Sequence, residues 1–130
     1  MHMKILNDEI KDVIAKSELM TIVSAGVDGP HVAATWGSFV AELDAGDGET
    51  LLIPAGGFQQ TEKNLRTDAR VTLMVASKLV AGKNGMGTGY RLSGTAQLET
   101  EGAWFDLVKA KFAWARAALV VKVIRAEQLL

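Results

Sequence analysis

Between Lys4 and about Lys16, the apolar residues Ile5, Leu6, Ile10, Val13 and Ile14 recur at helical spacing, with Asp8, Glu9, Lys11 and Asp12 between them. This pattern predicts an amphipathic helix with one face turned to a core. Leu19 to Ser24 reads as a first strand, Val27-Asp28-Gly29-Pro30 as a turn, and His31 to Trp36 as the returning strand of a hairpin. Ser38 to Leu43 is expected to continue in extended form, with Gly37 marking a bulge or kink. A polar loop from Asp44 to Glu49 leads to a strand over Thr50 to Ile53, which should stop at Pro54 because proline cannot donate to a ladder. A helix from about Gln59 to Asp68 and a buried strand over Val71 to Ala76 follow. The glycine-dense stretch Gly82 to Gly89 reads as a loop, and Tyr90 to Leu98 as a strand with a bulge at Gly94. From Gly102 to Arg116, Trp104, Leu107, Val108, Phe112 and Ala115 share one helical face, and Leu119 to Ile124 forms a last strand.

The pattern amounts to six or seven short strands with three helices between and around them. Strands follow one another too directly for a doubly wound α/β sheet, so the fold class is mainly β with helices, a small antiparallel barrel. Closing the sheet would also remove edges that such apolar strands expose poorly. A chain of 130 residues without repeats, low-complexity tracts or linkers reads as one domain over residues 1–130.

Composition narrows the chemistry. Hydrophobic residues make up 48% and charged residues 22%, and the net charge is −1 with both signs mixed along the chain. No basic footprint points to nucleic acid, and no polybasic run points to a membrane surface. The mean hydropathy of +0.15 leans apolar for so small a chain and hints at an apolar face kept for a partner. Cysteine is absent, which excludes disulfides, thiolate nucleophiles and Cys-ligated zinc or iron–sulfur clusters. His2 and His31 lie far apart, so a histidine-based metal site is not expected. Asp8, Glu9 and Asp12 interrupt any signal-peptide core, and no apolar run nears the ~20 residues of a membrane span. The expected location is cytoplasmic.

One stretch stands out, Ile53-Pro54-Ala55-Gly56-Gly57-Phe58-Gln59-Gln60-Thr61-Glu62-Lys63-Asn64-Leu65. A strand ends, a Gly-Gly pair turns the chain, and a helix starts with Thr61 and Lys63 in its first turns. Glycine lets a ligand approach the main chain, and a helix N-terminus offers open N–H groups with a partial positive charge. Together these suit a phosphate. The same residues also serve a plain strand-to-helix turn that needs two glycines.

Other chemistries find no support. Gly85, Gly87 and Gly89 alternate and precede a strand, unlike a dinucleotide fingerprint. Gly82-Lys83 is followed by Asn84, unlike a nucleotide-hydrolase phosphate loop, and no Gly-x-Ser-x-Gly elbow occurs. Redox work would therefore rest on a cofactor. Aromatic residues are few, at 6%, yet Trp36 and Phe39 flank Gly37-Ser38, Phe58 follows Gly56-Gly57 and Trp114 ends the last helix; an aromatic beside a glycine-rich phosphate cradle suits the stacking of a flat conjugated ring. Tryptophan in a small barrel also serves simply as core.

Several motifs, in order and at similar spacing, resemble one family: Gly29-Pro30-His31, Thr35-Trp36, Pro54-Ala55-Gly56-Gly57, Thr61-Glu62, Val80 to Gly85, Gly87-Thr88-Gly89 and Phe112 to Val120. They look like the small FMN-binding proteins of sulfate-reducing bacteria, within the FMN-binding split-barrel superfamily that includes pyridoxamine 5′-phosphate oxidases. The resemblance runs from about Ser17 to Leu130. It implies a six-stranded antiparallel split β-barrel, a homodimer, and one FMN per subunit near the dimer interface. By that resemblance Pro54, Ala55, Gly56, Gly57, Gln60 and Thr61 would hold the flavin end and the phosphate. Thr35 and Ser38 would add polar contacts, Trp36 and Trp114 would border the ring, and Leu130 would reach the neighbouring subunit's site.

The departures bear on the phosphate and on the ring. Gln60 stands where the family has a lysine, and Ala34 where it has an asparagine. Lys63, on the adjacent face of the same turn, is placed to restore the charge. Phe39 replaces a tyrosine, and Ser17, beside Glu18, replaces a glutamate close to the flavin, a change that should raise the flavin's potential. The reading that results is a flavoprotein that carries electrons or acts as a small flavin reductase, served by a redox partner protein or a nicotinamide donor. No catalytic side chain is assigned. The rival is the same barrel storing or sensing a flavin, or a degenerate barrel that binds none. An oxidase of pyridoxamine 5′-phosphate fits less well, since no basic cluster serves a second phosphate.

Overall fold

A computed structural model describes residues 5–40 and 47–130. Helix α1 (Asp8–Lys16) begins later than periodicity suggests because Asn7 caps it, its side chain accepting from the Ile10 N–H at 2.9 Å. Strands β1 (Met20–Gly26) and β2 (Gly29–Thr35) form the expected hairpin, and a 3₁₀ turn covers Gly37–Phe39. Then come β3 (Thr50–Ala55), α2 (Gln59–Thr67), β4 (Arg70–Gly82), β5 (Gly85–Glu99), α3 (Ala103–Lys111) and β6 (Ala117–Gln128). The six strands make one antiparallel sheet in the order β2-β1-β4-β5-β6-β3. Edges β2 and β3 share no ladder among the described residues. The barrel is therefore split rather than closed.

Two packed layers explain why β3 and β6 read as unbroken apolar runs. Leu51 and Ile53 of β3, with Leu119, Val121 and Val123 of β6, point into the main core beside Leu6, Ile10, Val13 and Ile14. Leu52, Ala118 and Val120 point the other way, against Val108 of α3 and the half-buried Phe105, Leu107 and Phe112. A strand covered on both faces needs no polar alternation.

The structure corrects several boundaries. Pro54 does not end β3, which runs on to Ala55 with Pro54 opposite Ala118. An edge strand tolerates the missing N–H on its open side. Gly37–Phe39 coils where extended chain was expected, since Gly37 is drawn in to donate its N–H to the Ser17 carbonyl at 3.2 Å. The rest of that expected strand, from Ala41 to Leu43, and the start of the Asp44–Glu49 loop lie outside the described residues. Gly82 to Gly89 is no loop: β4 and β5 run into it and join through Lys83-Asn84 alone, with Gly82 opposite Gly85. The positive φ of Gly85 (126°) and Gly87 (109°) permits that tight, coiled hairpin. Helix α3 stops at Lys111, leaving Phe112, Trp114 and Ala115 in the connection to β6. The bulge at Gly94 is present, where the β5–β6 register shifts.

Helix α1 is fastened to the sheet by the Tyr90 hydroxyl, which donates to the Glu9 carboxylate at 2.5 Å. Burial, then the Glu9 hydrogen bond and charge, push Tyr90 up to about 12 from its ordinary 10.0. A raised folded value favours the protonated phenol, so its stabilisation is complete below pH 10 and is lost as pH rises towards 12. Thermal melts between pH 8 and pH 11.5, conditions of roughly that window, should fall more steeply for the native protein than for Tyr90→Phe. Parallel curves would remove Tyr90 from this role.

Candidate functional site

Gly56 and Gly57 carry the chain from β3 into α2, and Phe58 takes the position before the helix with φ 64° and ψ 28°. A left-handed phenylalanine costs on the order of 1–3 kcal/mol and persists only where neighbours hold it. No side chain caps α2, and its first intrahelical bond runs from the Glu62 N–H to the Phe58 carbonyl at 2.8 Å. The N–H groups of Gln59, Gln60 and Thr61 are left open at the positive end of the helix.

Thr61 sits in this same turn. It is 0% exposed, and its hydroxyl has no hydrogen-bond partner, the one buried side-chain polar atom so placed among the described residues. Such a group costs roughly 1–3 kcal/mol unless something satisfies it. Glu62, next along, would repel an anion, but Arg66 (3.3 Å) and Arg116 (3.1 Å) both pair with it. Lys63 is exposed and makes no ion pair. Open amides and an unsatisfied hydroxyl form a donor set that suits a phosphate, and an exposed ammonium follows two residues on at Lys63.

An aromatic wall stands beside the turn. A Cβ on Gly56 would meet Trp114 Cε3 at 3.1 Å, so the indole lies directly on the glycine backbone. Phe39, Phe112 and Trp114 pack as a triangle with ring centroids 5.5–5.8 Å apart. Trp114 nevertheless keeps 52% of its surface exposed and Trp36 keeps 54%.

The site residues expected from sequence are thus partly brought together. Pro54, Ala55, Gly56, Gly57, Thr61 and Trp114 converge on the β3–α2 turn, with Lys63 on the outer face of the helix. Thr35 closes β2, and Trp36 and Ser38 are exposed around the 3₁₀ turn; from that segment Phe39 is the residue whose ring meets Trp114. Gln60 turns elsewhere: its amide donates to Asn64 Oδ1 (2.9 Å), and Asn64 donates to the Ser24 hydroxyl (3.1 Å), tying α2 to β1. Ser17, at the glutamate position, is buried, donating to the Val13 carbonyl (2.8 Å) and accepting from the Ala76 N–H (3.1 Å).

Arg116 was not singled out from sequence. Its backbone N–H donates to the Ala55 carbonyl (2.8 Å), and Nε and Nη2 both donate to the Gly57 carbonyl (3.0 and 2.7 Å). A lone arginine among Ala115, Ala117 and Ala118, at the head of a buried strand, was the available signal. Among the described residues, no three His, Asp or Glu side chains group as a metal site, and no helix is long and apolar enough to cross a membrane.

Against known proteins, a family model described as pyridoxamine 5′-phosphate oxidase matches residues 6–129. The chain is 42% identical over 119 residues to the FMN-binding protein of Nitratidesulfovibrio vulgaris (strain DSM 19637 / Miyazaki F), covering 92% of this chain and 94% of that protein. The crystal structure of HupZ from Group A Streptococcus matches with a TM-score of 0.75 at 21% identity, over 95% of this chain and 93% of that one. An FMN-binding protein from Syntrophomonas wolfei subsp. wolfei gives 0.70 at 18% identity, over 96% and 86%. At such identities the two structures speak to the fold.

Proposed function

The chain belongs to the pyridoxamine 5′-phosphate oxidase family, and on that premise we propose that it is an FMN-binding flavoprotein, working as a homodimer that carries electrons or reduces a small acceptor. The observation that carries the reading is the buried, unpartnered Thr61 hydroxyl in the first turn of an uncapped helix behind a Gly-Gly turn. FMN, when bound, supplies the redox chemistry by taking up and releasing electrons. The chain's own residues bind and orient.

Thr61 and the open amides after Gly56-Gly57 hold the phosphate, and Lys63 contributes the cation that Gln60 lacks. Pro54 and Ala55 fix the end of β3 from which the turn springs. Thr35 and Ser38 add polar contacts, while the exposed faces of Trp36 and Trp114 border the flavin ring. Exposed apolar residues, among them Val32, Leu79, Met86 and Leu130, support a second copy of the chain as the dimer partner. Sedimentation of the flavin-loaded protein as a monomer would remove that part.

Titration with FMN tests the phosphate assignment. Lys63→Ala should weaken FMN binding by about three- to tenfold, as expected for one exposed charge near a dianion, with a shallower dependence on salt. Unchanged affinity and salt dependence would show that Lys63 does not stand in for a lysine at position 60. Mixing the loaded protein anaerobically with NADH or NADPH then separates the two redox roles. Direct bleaching of the flavin marks a reductase, and bleaching only through a partner protein marks a carrier.

A further inference from the structure

Both carbonyls on either side of Gly56 and Gly57 point at one residue. The Ala55 carbonyl accepts from the Arg116 backbone N–H, and the Gly57 carbonyl accepts two bonds from its guanidinium. In a trans peptide the C=O of one residue and the N–H of the next point in opposite directions, and the structure has no cis peptide. Fixing those carbonyls towards Arg116 therefore turns the Gly56 and Phe58 N–H groups to the far side. Neither N–H has a protein acceptor. The same guanidinium holds the Glu62 carboxylate at 3.1 Å, against the negative charge that would otherwise face an anion at this helix start.

Resting on the flavin reading above, we infer that Arg116 is a positioning residue that makes the Gly56–Phe58 turn select a flavin bearing a phosphate over the same flavin without one. It touches neither ring nor phosphate. Its fork holds the strained Phe58 conformation and presents a row of main-chain donors that only the phosphorylated ligand uses. Bidentate donation needs a planar guanidinium, which a lysine ammonium does not reproduce.

FMN and riboflavin differ by the phosphate alone, so their paired titration isolates the effect. Arg116→Ala should weaken FMN by roughly tenfold or more, the loss expected when charge-assisted bonds are misaligned, while riboflavin affinity changes less than about twofold. Arg116→Lys should fall in between, and it carries the same comparison should the alanine variant not fold. Equal weakening of both flavins, or of neither, would overturn the inference. A native protein that binds neither flavin would instead sink the flavin reading. Inorganic phosphate would then decide the inference by itself: the Gly56 and Phe58 amide resonances should shift clearly less with phosphate in Arg116→Lys than in the native protein, and equal shifts in both would overturn it.

Discussion

Thr61→Val is expected to move stability and FMN affinity in opposite directions. Valine keeps the shape of threonine and replaces the hydroxyl with a methyl. In the free protein that hydroxyl is fully buried without a partner, so removing it removes a penalty. A gain of about 1 kcal/mol should raise the melting temperature of the flavin-free protein by roughly 3–5 °C. On the proposed binding mode the hydroxyl would donate to an anionic oxygen, an interaction worth about 1.5–3 kcal/mol, so FMN should bind roughly 10- to 150-fold more weakly. Melting curves and flavin titrations on one preparation supply both readings. A structural threonine would destabilise on substitution and leave affinity alone, so the crossed signs separate the two cases.

Gly37→Ala should be the most damaging small substitution near the site. An added Cβ would lie 2.1 Å from the Ile14 carbonyl oxygen and 2.5 Å from that of Ser17. Both belong to backbone already committed: Ile14 accepts from the Ser17 N–H (3.1 Å), and Ser17 accepts from Gly37 itself. The end of α1 would have to leave the sheet, taking with it the Ser17 bonds to Val13 and Ala76. A loss of more than about 3 kcal/mol is expected, lowering the melting temperature by roughly 10–20 °C. Displaced Trp36 and Phe39 should weaken flavin binding as well. Ser38→Ala, one position on and exposed, should shift the melt by no more than about 2 °C. A native-like melt for Gly37→Ala would mean that the close approach of the 3₁₀ turn to α1 is not what holds this corner.

These two residues also mark how far the sequence could be read. Thr61 was legible because its meaning is local: strand, two glycines and a helix start follow one another within a dozen positions, and each has its own signature. The six strands found along the chain and the core face of α1 are legible from periodicity for the same reason. Gly37 reads from sequence as a bulge or kink, since nothing in the neighbouring residues reveals that α1 passes within van der Waals distance. Pro54 reads as a stop from sequence because its place on an edge strand depends on the sheet order. Helix α3 reads longer from sequence than it is because Phe112 and Ala115 keep a helical spacing while packing from an irregular segment against the outer layer of β3 and β6. Arg116 and Gly57 are 59 positions apart, and the diversion of Gln60 depends on Ser24, 40 positions from Asn64. Contacts of that range arise only once the strands are registered.

On the proposed reading, main-chain donors and Thr61 behind the Gly56-Gly57 turn grip the phosphate of FMN and leave the ring against tryptophan. Gel filtration of the purified protein after incubation with FMN, monitored by flavin absorbance and tryptophan emission, tests it most directly. One flavin should be retained per chain with quenched tryptophan emission, and retention should be lost in Thr61→Val. Flavin eluting apart from the native protein, with tryptophan emission unaltered, would contradict it.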